Sequence, residues 1–455
     1  MKKFTSLALM LNLTACNGRR VPYLTKKMRG QKRRIEELSD AGIQKKIPLG
    51  KTDFKQIIEG GYVYKDNTKF IEEFWERGAE VTVLNRPGGF GKTLMLSTCE
   101  HFFDIRKKKE NSRLFNGLYI SRSECYKEQG AHPVISLSFK DIRMDDWNEC
   151  KGAIAELIGE EYSKHAYLMD SDKLNETDKK KFAKLKDREA NFPQLQNSLK
   201  YLIKYLRLHN EKKVIVLLDE YDTPLIEGEQ NKYYRQVNRF MTNLLSAGLK
   251  DNVNLNRGIM AGELMLSLTS FLGGLDSIRV CGVTSVLYGD KFGFKEGEVR
   301  EILEKNGLEE KFEDVKKWYG GYNIGGEELY NPSSILYCVD EKKILNSWME
   351  RHKNEHMRRW IRKLLYCKSG WLHTSSALYK LIRGEKVEVM LKHNLNTMDG
   401  EEANALSLML STGYLSFEEL EMCEGGKKLK LKIPNQEMRN LFSYILEELR
   451  EHKYK

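Results

Sequence analysis

The amino-acid sequence predicts an α/β fold with a mostly parallel sheet, a helical insertion and a mainly helical C-terminal domain. Five short apolar segments have the composition of buried strands, and helical segments separate them along the chain. This alternation is typical of a parallel sheet, because each parallel connection needs a crossover. From about Phe292 onward, short helices joined by tight turns are predicted instead.

Two helices are predicted before the first strand. In "TDFKQIIE", Thr52 or Asp53 can cap the helix and Gly60 can end it. In "NTKFIEEFWERG", apolar residues recur at helical spacing and Gly78 follows as a stop signal. The segment "EVTVLN" then reads as a buried strand, followed by a helix that starts at Thr93.

The remaining strands of the predicted sheet are separated by a long charged stretch. "HPVISLSF" precedes a helical insertion from about residue 147 to 208, in which "LQNSLKYLIKYL" is clearly amphipathic. "KKVIVLLDEYDTP" is an apolar strand that ends in carboxylates, and "RGIMAG" and "SIRVCGVTS" complete the sheet. Beyond these strands a small hairpin is predicted at "KKLKLKIP". We therefore divide the chain into a leader (1–45), a core domain (46–290) and a C-terminal domain (291–455).

A phosphate-binding loop is predicted at "NRPGGFGKT", between the first strand and its helix. Backbone N–H groups of such a turn surround phosphate oxygens, and the helix N-terminus adds partial positive charge. Lys92 would reach the β- and γ-phosphates, and the hydroxyl of Thr93 would ligate Mg²⁺. The pattern GxxxxGK[ST] has its first glycine where this chain has Arg86. An ordinary strand-to-helix turn is the alternative.

A carboxylate pair ends the strand "VIVLLDEYD". P-loop enzymes hold magnesium near an acidic residue at this edge of the sheet, which Asp219 would supply. Glu220 would polarise the attacking water, a role that needs a carboxylate within hydrogen-bond reach. The alternative is a strand end with solvated acidic side chains.

The chain resembles the AAA-ATPase-like family, bacterial P-loop ATPases that often carry a C-terminal PD-(D/E)XK nuclease-like domain. The resemblance rests on ordered segments that include "KIPLGKTDFKQIIEGGYVYKDNTKFI", "RPGGFGKTLMLS", "VIVLLDEYDTPL" and "KKWYGGYNIGGEELYNPSSIL". It implies a P-loop ATPase core with additional helices. It also implies nucleotide-binding roles for Arg86, Pro87, Gly88, Gly89, Phe90, Gly91, Lys92 and Thr93, a metal role for Asp219 and a catalytic role for Glu220.

Several residues depart from the pattern of this family. Gly88 and Gly89 replace two arginines, and the family's Thr-Gly-x-x-Arg segment reads "AGELM", with Ala261 and Met265 at the outer positions. Those positions would sense the γ-phosphate, so their loss can slow hydrolysis while binding persists. No Asp…Glu-x-Lys constellation is found toward Lys455. We therefore expect no nuclease activity.

Charge and the N-terminus limit the other function classes. Of the net charge of +11, residues up to Lys46 carry +9. This basic arm could hold phosphates or anionic lipid, and a solvated leader or a misplaced start site are the alternatives. "MKKFTSLALMLNLTAC" resembles a lipoprotein signal ending at Cys16, whereas Asn12 and the ATPase-like remainder favour the cytoplasm. The eight cysteines form no CxxC pair, which fits a reducing compartment.

The sequence therefore predicts a cytoplasmic ATP-binding protein with Mg²⁺-dependent hydrolysis, and lipoprotein-type export is the alternative location. A second function is a nucleotide-sensing or scaffolding module that hardly turns ATP over and acts through a protein partner or a homo-oligomer. Nucleic-acid association is a third and weaker hypothesis, supported by the basic arm and the family context. No segment of the sequence is apolar enough to cross a membrane.

Overall fold

A computed structural model gives the fold. It describes residues 46–264, 278–347, 377–391, 402–423 and 426–451. Three subjects of the sequence predictions lie outside these residues, namely the basic leader 1–45, its Cys16, and Met265.

Five parallel strands form the central sheet, and this confirms the predicted fold class. Their spatial order is β2-β3-β4-β1-β5, and all neighbouring strands run parallel. Their bounds are β1 (Val81–Asn85), β2 (Val134–Ser138), β3 (Val214–Asp219), β4 (Leu255–Gly262) and β5 (Ile278–Cys281).

The helices lie on both sides of this sheet and continue beyond it. Their bounds are α1 (Phe54–Glu59), α2 (Lys69–Glu76), α3 (Lys92–Phe103), α4 (Lys108–Ser112), α5 (Trp147–Lys164), α6 (Glu176–Lys186), α7 (Phe192–Gln196), α8 (Ser198–Asn210), α9 (Thr223–Gln230), α10 (Tyr234–Leu249), α11 (Glu296–Lys305), α12 (Phe312–Tyr319), α13 (Pro332–Glu341), α14 (Ala377–Ile382), α15 (Glu402–Ser411) and α16 (Gln436–Glu451).

Local sequence signals explain where several of these helices begin and end. The carboxylate of Asp53 accepts the backbone N–H of Gln56 and so caps α1, which ends at Gly60. Asn175 caps α6 in the same way, with Asp178 as its backbone donor. The cap at Asp53 agrees with the sequence prediction, which offered Thr52 or Asp53.

Alternating side chains of the strands build two separate apolar layers. Leu84, Leu217 and Ile259 point toward the layer that contains α1, α2 and α3. Val83 and Val216 point the other way, toward the helical insertion formed by α5 to α8 and toward α10. Because both faces are covered, the central strands are apolar along their whole length, which explains why they were recognisable in the sequence.

The C-terminal part contains more β-structure than the sequence predicted. Two short strands, β6 (Tyr322–Ile324) and β7 (Glu327–Leu329), form a hairpin. Three further strands, β8 (Val387–Leu391), β9 (Ser416–Cys423) and β10 (Gly426–Lys432), form an antiparallel sheet in the order β8-β10-β9. The hairpin expected at "KKLKLKIP" is thus part of a larger sheet, while the division of the chain near residue 290 stays a prediction.

No helix in the described ranges is long and apolar enough to span a bilayer.

Candidate nucleotide-binding site

The loop between β1 and α3 forms the centre of the candidate site. We call residues 86–91 the phosphate loop. Gly89 and Gly91 adopt left-handed conformations, with φ of 77° and 89°, which side chains other than glycine rarely tolerate. Gly91 immediately precedes the first residue of α3. Both glycines are exposed, so the loop presents backbone to its surroundings at these two points.

The N–H groups of the phosphate loop are available for a ligand. Within the described residues, no acceptor is found for the backbone N–H of Gly88, Gly89, Phe90 or Gly91. The N-terminus of α3 adds the unpaired N–H groups of its first turn. Consecutive N–H groups beside a helix N-terminus form an anion-binding arrangement.

Arg86 points away from this arrangement and into the protein. Its guanidinium is fully buried and donates to the carbonyl oxygens of Cys281 at 2.6 Å and of Gly282 at 2.9 Å, among other carbonyls. The absence of water lowers the pKa of this guanidinium to about 10. Only the backbone of Arg86 could therefore contribute to ligand binding, and its side chain joins the loop to the end of β5.

Lys92 lies over the phosphate loop. Its Nζ donates to the carbonyl oxygen of Arg86 at 2.8 Å and to that of Pro87 at 3.0 Å, and the residue is only 7% exposed. The two carbonyl partners hold the amino group of Lys92 next to the loop.

Thr93 and Asp219 bring two distant parts of the sequence together. The hydroxyl of Thr93 donates to Oδ2 of Asp219 over 2.7 Å. Asp219 is the last residue of β3 and is 5% exposed. Burial raises the pKa of its carboxyl group, and the hydrogen bond from Thr93 opposes this effect. The carboxyl ends of β1 and β3 therefore meet at one edge of the sheet.

Glu220 follows Asp219 in a left-handed conformation with φ of 47°, which is unusual for a residue with a side chain. Its carboxylate lies 3.7 Å from the guanidinium of Arg143, and it accepts a hydrogen bond from the hydroxyl of Thr223. Burial, followed by the neighbouring charge of Asp219, raises the pKa of Glu220. Arg143 also pairs with Glu227 at 3.1 Å, so it stands between two carboxylates.

Asp222 makes a structural contact with the segment that follows β4. Its Oδ2 accepts the backbone N–H groups of Glu263 at 2.8 Å and of Leu264 at 2.7 Å. Asp222 therefore holds the chain that leaves β4. Gly262 lies so close that an added Cβ would come within 2.6 Å of Oδ1 of Asp222.

Ala261 lies in the centre of the sheet edge. It is fully buried in β4, with Leu84 of β1 on one side and Asp219 of β3 on the other. Its side chain belongs to the apolar layer that also contains Leu84, and the threonine that the family resemblance implies here would add a hydroxyl to that layer beside the ends of β1 and β3. Met265, the other departure, is outside the described residues.

Sequence reasoning missed Glu263, a further acidic residue at this edge. Burial raises the pKa of its carboxyl group to about 7, with Lys92 opposing the effect and with Asp222 and Glu220 adding to it. Glu263 could have been found from its position, because it follows Ala261 by two residues and the end of that strand was already assigned to the site.

The fold and the loop define a class of protein. A parallel sheet with a glycine-containing loop leading into a helix at its carboxyl edge is the architecture of P-loop nucleotide-binding proteins. Residues 48–271 match the family model described as "Predicted AAA-ATPase", so this segment belongs to the AAA-ATPase-like family, as the sequence motifs indicated. The family suggests that the protein binds nucleotide.

The chain is also similar to an uncharacterized protein in the vnfD 5′ region of Azotobacter chroococcum mcd 1. The two are 25% identical over 400 residues, which cover 87% of this chain and 69% of that protein. The similarity therefore extends well beyond residues 48–271 and includes most of the C-terminal part.

Proposed function

We propose that this protein binds ATP together with Mg²⁺ at the phosphate loop and hydrolyses it. The observation that carries the proposal is the 2.7 Å hydrogen bond between Thr93 and Asp219. It joins the first turn of α3 to the end of β3, so the loop amides, a lysine and an acidic pair share one edge of the sheet. P-loop ATPases use this combination for a triphosphate and its metal.

The residues present fit a triphosphate. The unpaired N–H groups from Gly88 to Gly91 can donate to phosphate oxygens, as described above. Lys92 can exchange its carbonyl partners for phosphate oxygens, which are stronger acceptors for an ammonium group. Gly91 leaves space for a close approach, since it is exposed and an added Cβ would meet no atom within 4 Å.

The residues present also fit Mg²⁺. Thr93 and Asp219 offer oxygen ligands, which this hard cation prefers, and Mg²⁺ sites commonly use few protein ligands besides phosphates and water. The described residues contain no group of three or more His, Cys, Asp or Glu that could hold a metal ion. Bound Mg²⁺ would neutralise charge that develops on the phosphate oxygens.

Glu220 is the residue that we assign to the hydrolytic water. Its carboxylate is about one-third exposed and follows the metal-binding Asp219 directly. Burial and the charge of Asp219 raise the pKa of this carboxyl group, whereas its ion pair with Arg143 at 3.7 Å opposes that rise and orients the carboxylate. A charged, oriented carboxylate is what a water-polarising group requires.

Two substitutions test this function. Lys92→Ala removes the ammonium at the phosphates, so ATP affinity should fall by at least about tenfold, as expected when a charge-assisted contact is lost. Glu220→Gln keeps the shape of the side chain but removes its charge, so phosphate release should fall by about a hundredfold or more while ATP still binds. Isothermal titration calorimetry and a phosphate-release assay measure the two effects.

Lys140→Ala is the control for loss of positive charge near the site. The Lys140 side chain is 59% exposed, and the nearest carboxylate lies 4.0 Å away. This variant should bind ATP as the wild type does. An unchanged affinity of Lys92→Ala would refute the nucleotide-binding proposal.

A hydrolysis-impaired nucleotide switch is the second candidate function, and Ala261 favours it. This residue, whose cross-strand neighbours are Leu84 and Asp219, has a methyl group where the family resemblance implies a hydroxyl. Missing hydrogen-bond donors near developing charge commonly cost two to three orders of magnitude in rate, on the order of 10²–10³. Wild type that binds ATP but releases phosphate no faster than Glu220→Gln would select this function.

A further inference from the structure

The carbonyl oxygens of the phosphate loop are held from outside the loop. Those of Arg86 and Pro87 accept Nζ of Lys92. The next carbonyl oxygen, that of Gly88, accepts the side-chain amide of Asn331 at 3.0 Å. Asn331 lies 243 residues further along the chain, so this contact is a property of the tertiary structure alone.

The two following carbonyl oxygens are contacted by the same C-terminal part. The hydroxyl of Ser333 lies 3.5 Å from the carbonyl oxygen of Gly89, and the N–H of Gly293 donates to that of Phe90 at 3.3 Å. All five carbonyl oxygens from residue 86 to residue 90 thus have donors, whereas the N–H groups of residues 88–91 have no acceptor within the described part.

Asn331 has two functions in its own surroundings. It is fully buried, and its Oδ1 accepts the backbone N–H of Ser333, which caps helix α13. Its Nδ2 is the group that reaches Gly88. The helix thus fixes the asparagine, and the asparagine in turn fixes the loop.

Close packing at Gly89 supports the same arrangement. A Cβ at Gly89 would come within 2.8 Å of Oδ1 of Asn331 and within 2.9 Å of Oγ of Ser333. Real Cβ atoms do not approach oxygen atoms so closely, so any side chain at this position would displace the first turn of α13. The loop and this turn are therefore in direct contact on both sides of the Gly88–Gly89 peptide.

The geometry of a planar trans peptide connects this contact to the ligand site. The C=O and N–H of one peptide unit point in opposite directions. A donor that holds the carbonyl oxygen of Gly88 therefore turns the N–H of Gly89 to the opposite side. The Gly-Gly stretch needs such a contact because glycine has more backbone freedom than any other residue.

We propose that Asn331 is a positioning residue, which holds the Gly88–Gly89 peptide so that its N–H faces the phosphates of a bound nucleotide. The inference rests on the proposed function and deepens it. It assigns part of the phosphate site to a helix of the C-terminal part, outside the segment that matches the family model.

Asn331→Ser separates the two functions of this residue. Serine is a good N-cap, so α13 remains capped, but its short side chain cannot donate to Gly88. Loss of one oriented donor to the loop should weaken MgATP binding by about fivefold to tenfold. Because the N–H of Gly89 would contact phosphate oxygens rather than the base or the ribose, the affinity of the protein for Mg-tripolyphosphate should fall by the same factor.

Asn435→Ser is the matched control. Asn435 also caps a helix, with the backbone N–H of Met438 as its donor, and its Nδ2 donates to the carbonyl oxygen of Gly320 at 2.9 Å. The two asparagines thus have the same pair of contacts, but only Asn331 touches the phosphate loop. Both variants should show similar shifts of the thermal unfolding midpoint, and only Asn331→Ser should lose affinity.

Two results would overturn the inference, and they differ from failure of the proposed function. Wild-type affinity in Asn331→Ser, measured beside a weakened Lys92→Ala, would exclude a positioning role while nucleotide binding stands. Equal losses in Asn331→Ser and Asn435→Ser would show a general packing effect. Unchanged affinity in Lys92→Ala would instead refute the proposed function, and the inference would fall with it.

Discussion

The side chain of Arg86 supports the phosphate loop from inside the protein instead of facing the ligand side. The usual pattern has glycine at this position, so the arginine is a departure from it. The structure places the guanidinium in the core, where it donates to carbonyl oxygens at the end of β5 and lies 5.5 Å from the ring centre of Phe292. Arg86 thus anchors one end of the loop and leaves the ligand side to the backbone.

Glu263 carries a pH-dependent prediction at the same scale. The folded protein raises the pKa of this carboxyl group from 4.5 to about 7. The folded state therefore binds a proton that the unfolded state releases, and the associated stabilisation is lost as pH rises from about 4.5 to about 7. Unfolding free energy should fall with rising pH in wild type more steeply than in Glu263→Gln.

Urea denaturation between about pH 5 and about pH 8 measures this difference, since the midpoint follows stability when the slope is constant. Glu124→Gln is the control, because Glu124 is an exposed glutamate outside the site. Parallel pH profiles for wild type and Glu263→Gln would contradict the assignment.

Elements were predictable from the sequence where burial is uniform. The strands β1 and β3 are buried at every residue, so their apolar composition was visible without knowledge of their neighbours. The C-terminal sheet was predicted only in part, as a hairpin at "KKLKLKIP", because its strands are partly exposed and mix charged with apolar residues. β9, for example, has six exposed residues of eight. Such strands depend on pairing with distant segments, which a local pattern does not reveal.

The contacts of the candidate site were likewise predictable only in part. Thr93 and Asp219 could be brought together from the sequence, because the carboxyl ends of parallel strands share one edge of a sheet. The contact of Asn331 with Gly88 could not, because "YNPSSIL" shows only a helix start and gives no sign of its partner.

Strand β4 carries a prediction about turnover at the scale of elements. A hydroxyl added at Ala261 would lie on one face of the sheet, beside Leu84 of β1 and Asp219 of β3, close to the ends of the strands that bear the loop and the acidic pair. Ala261→Ser adds only one oxygen atom to a packed position, so it should fold. If the missing hydroxyl limits hydrolysis, the rate of phosphate release should rise by about tenfold. This is less than the full rate effect of one well-oriented hydrogen-bond donor, which is on the order of 10²–10³.

Ala153→Ser is the control for the added hydroxyl, because Ala153 lies in α5 of the helical insertion and is only partly buried. It should leave phosphate release unchanged. Unchanged release in Ala261→Ser would show that this position does not limit the rate.

At the scale of the whole molecule, the phosphate loop is a meeting point of segments from both parts of the chain. Besides α13, the ring of Tyr322 in β6 packs edge-on against Phe90 with ring centres 5.2 Å apart. Gly413, after α15, lies so close to Pro87 that an added Cβ would come within 2.7 Å of the proline Cβ. Changes at these particular contacts should therefore alter nucleotide affinity.

Gly413→Ala tests this connection, and Gly117→Ala is its matched control. The two glycines have nearly equal φ values of 85° and 83°, so alanine suffers similar backbone strain at both. They differ in surroundings, because a Cβ at Gly117 would meet no atom within 4 Å. Gly117→Ala should lower the unfolding free energy by about 1 kcal/mol, and Gly413→Ala by about 2–4 kcal/mol because overpacking adds to the strain. Only Gly413→Ala should also weaken ATP binding, since the displaced contact is Pro87 of the phosphate loop. Equal ATP affinities in the two variants, measured by calorimetry below both unfolding transitions, would show that the C-terminal part stabilises the fold without acting on the site.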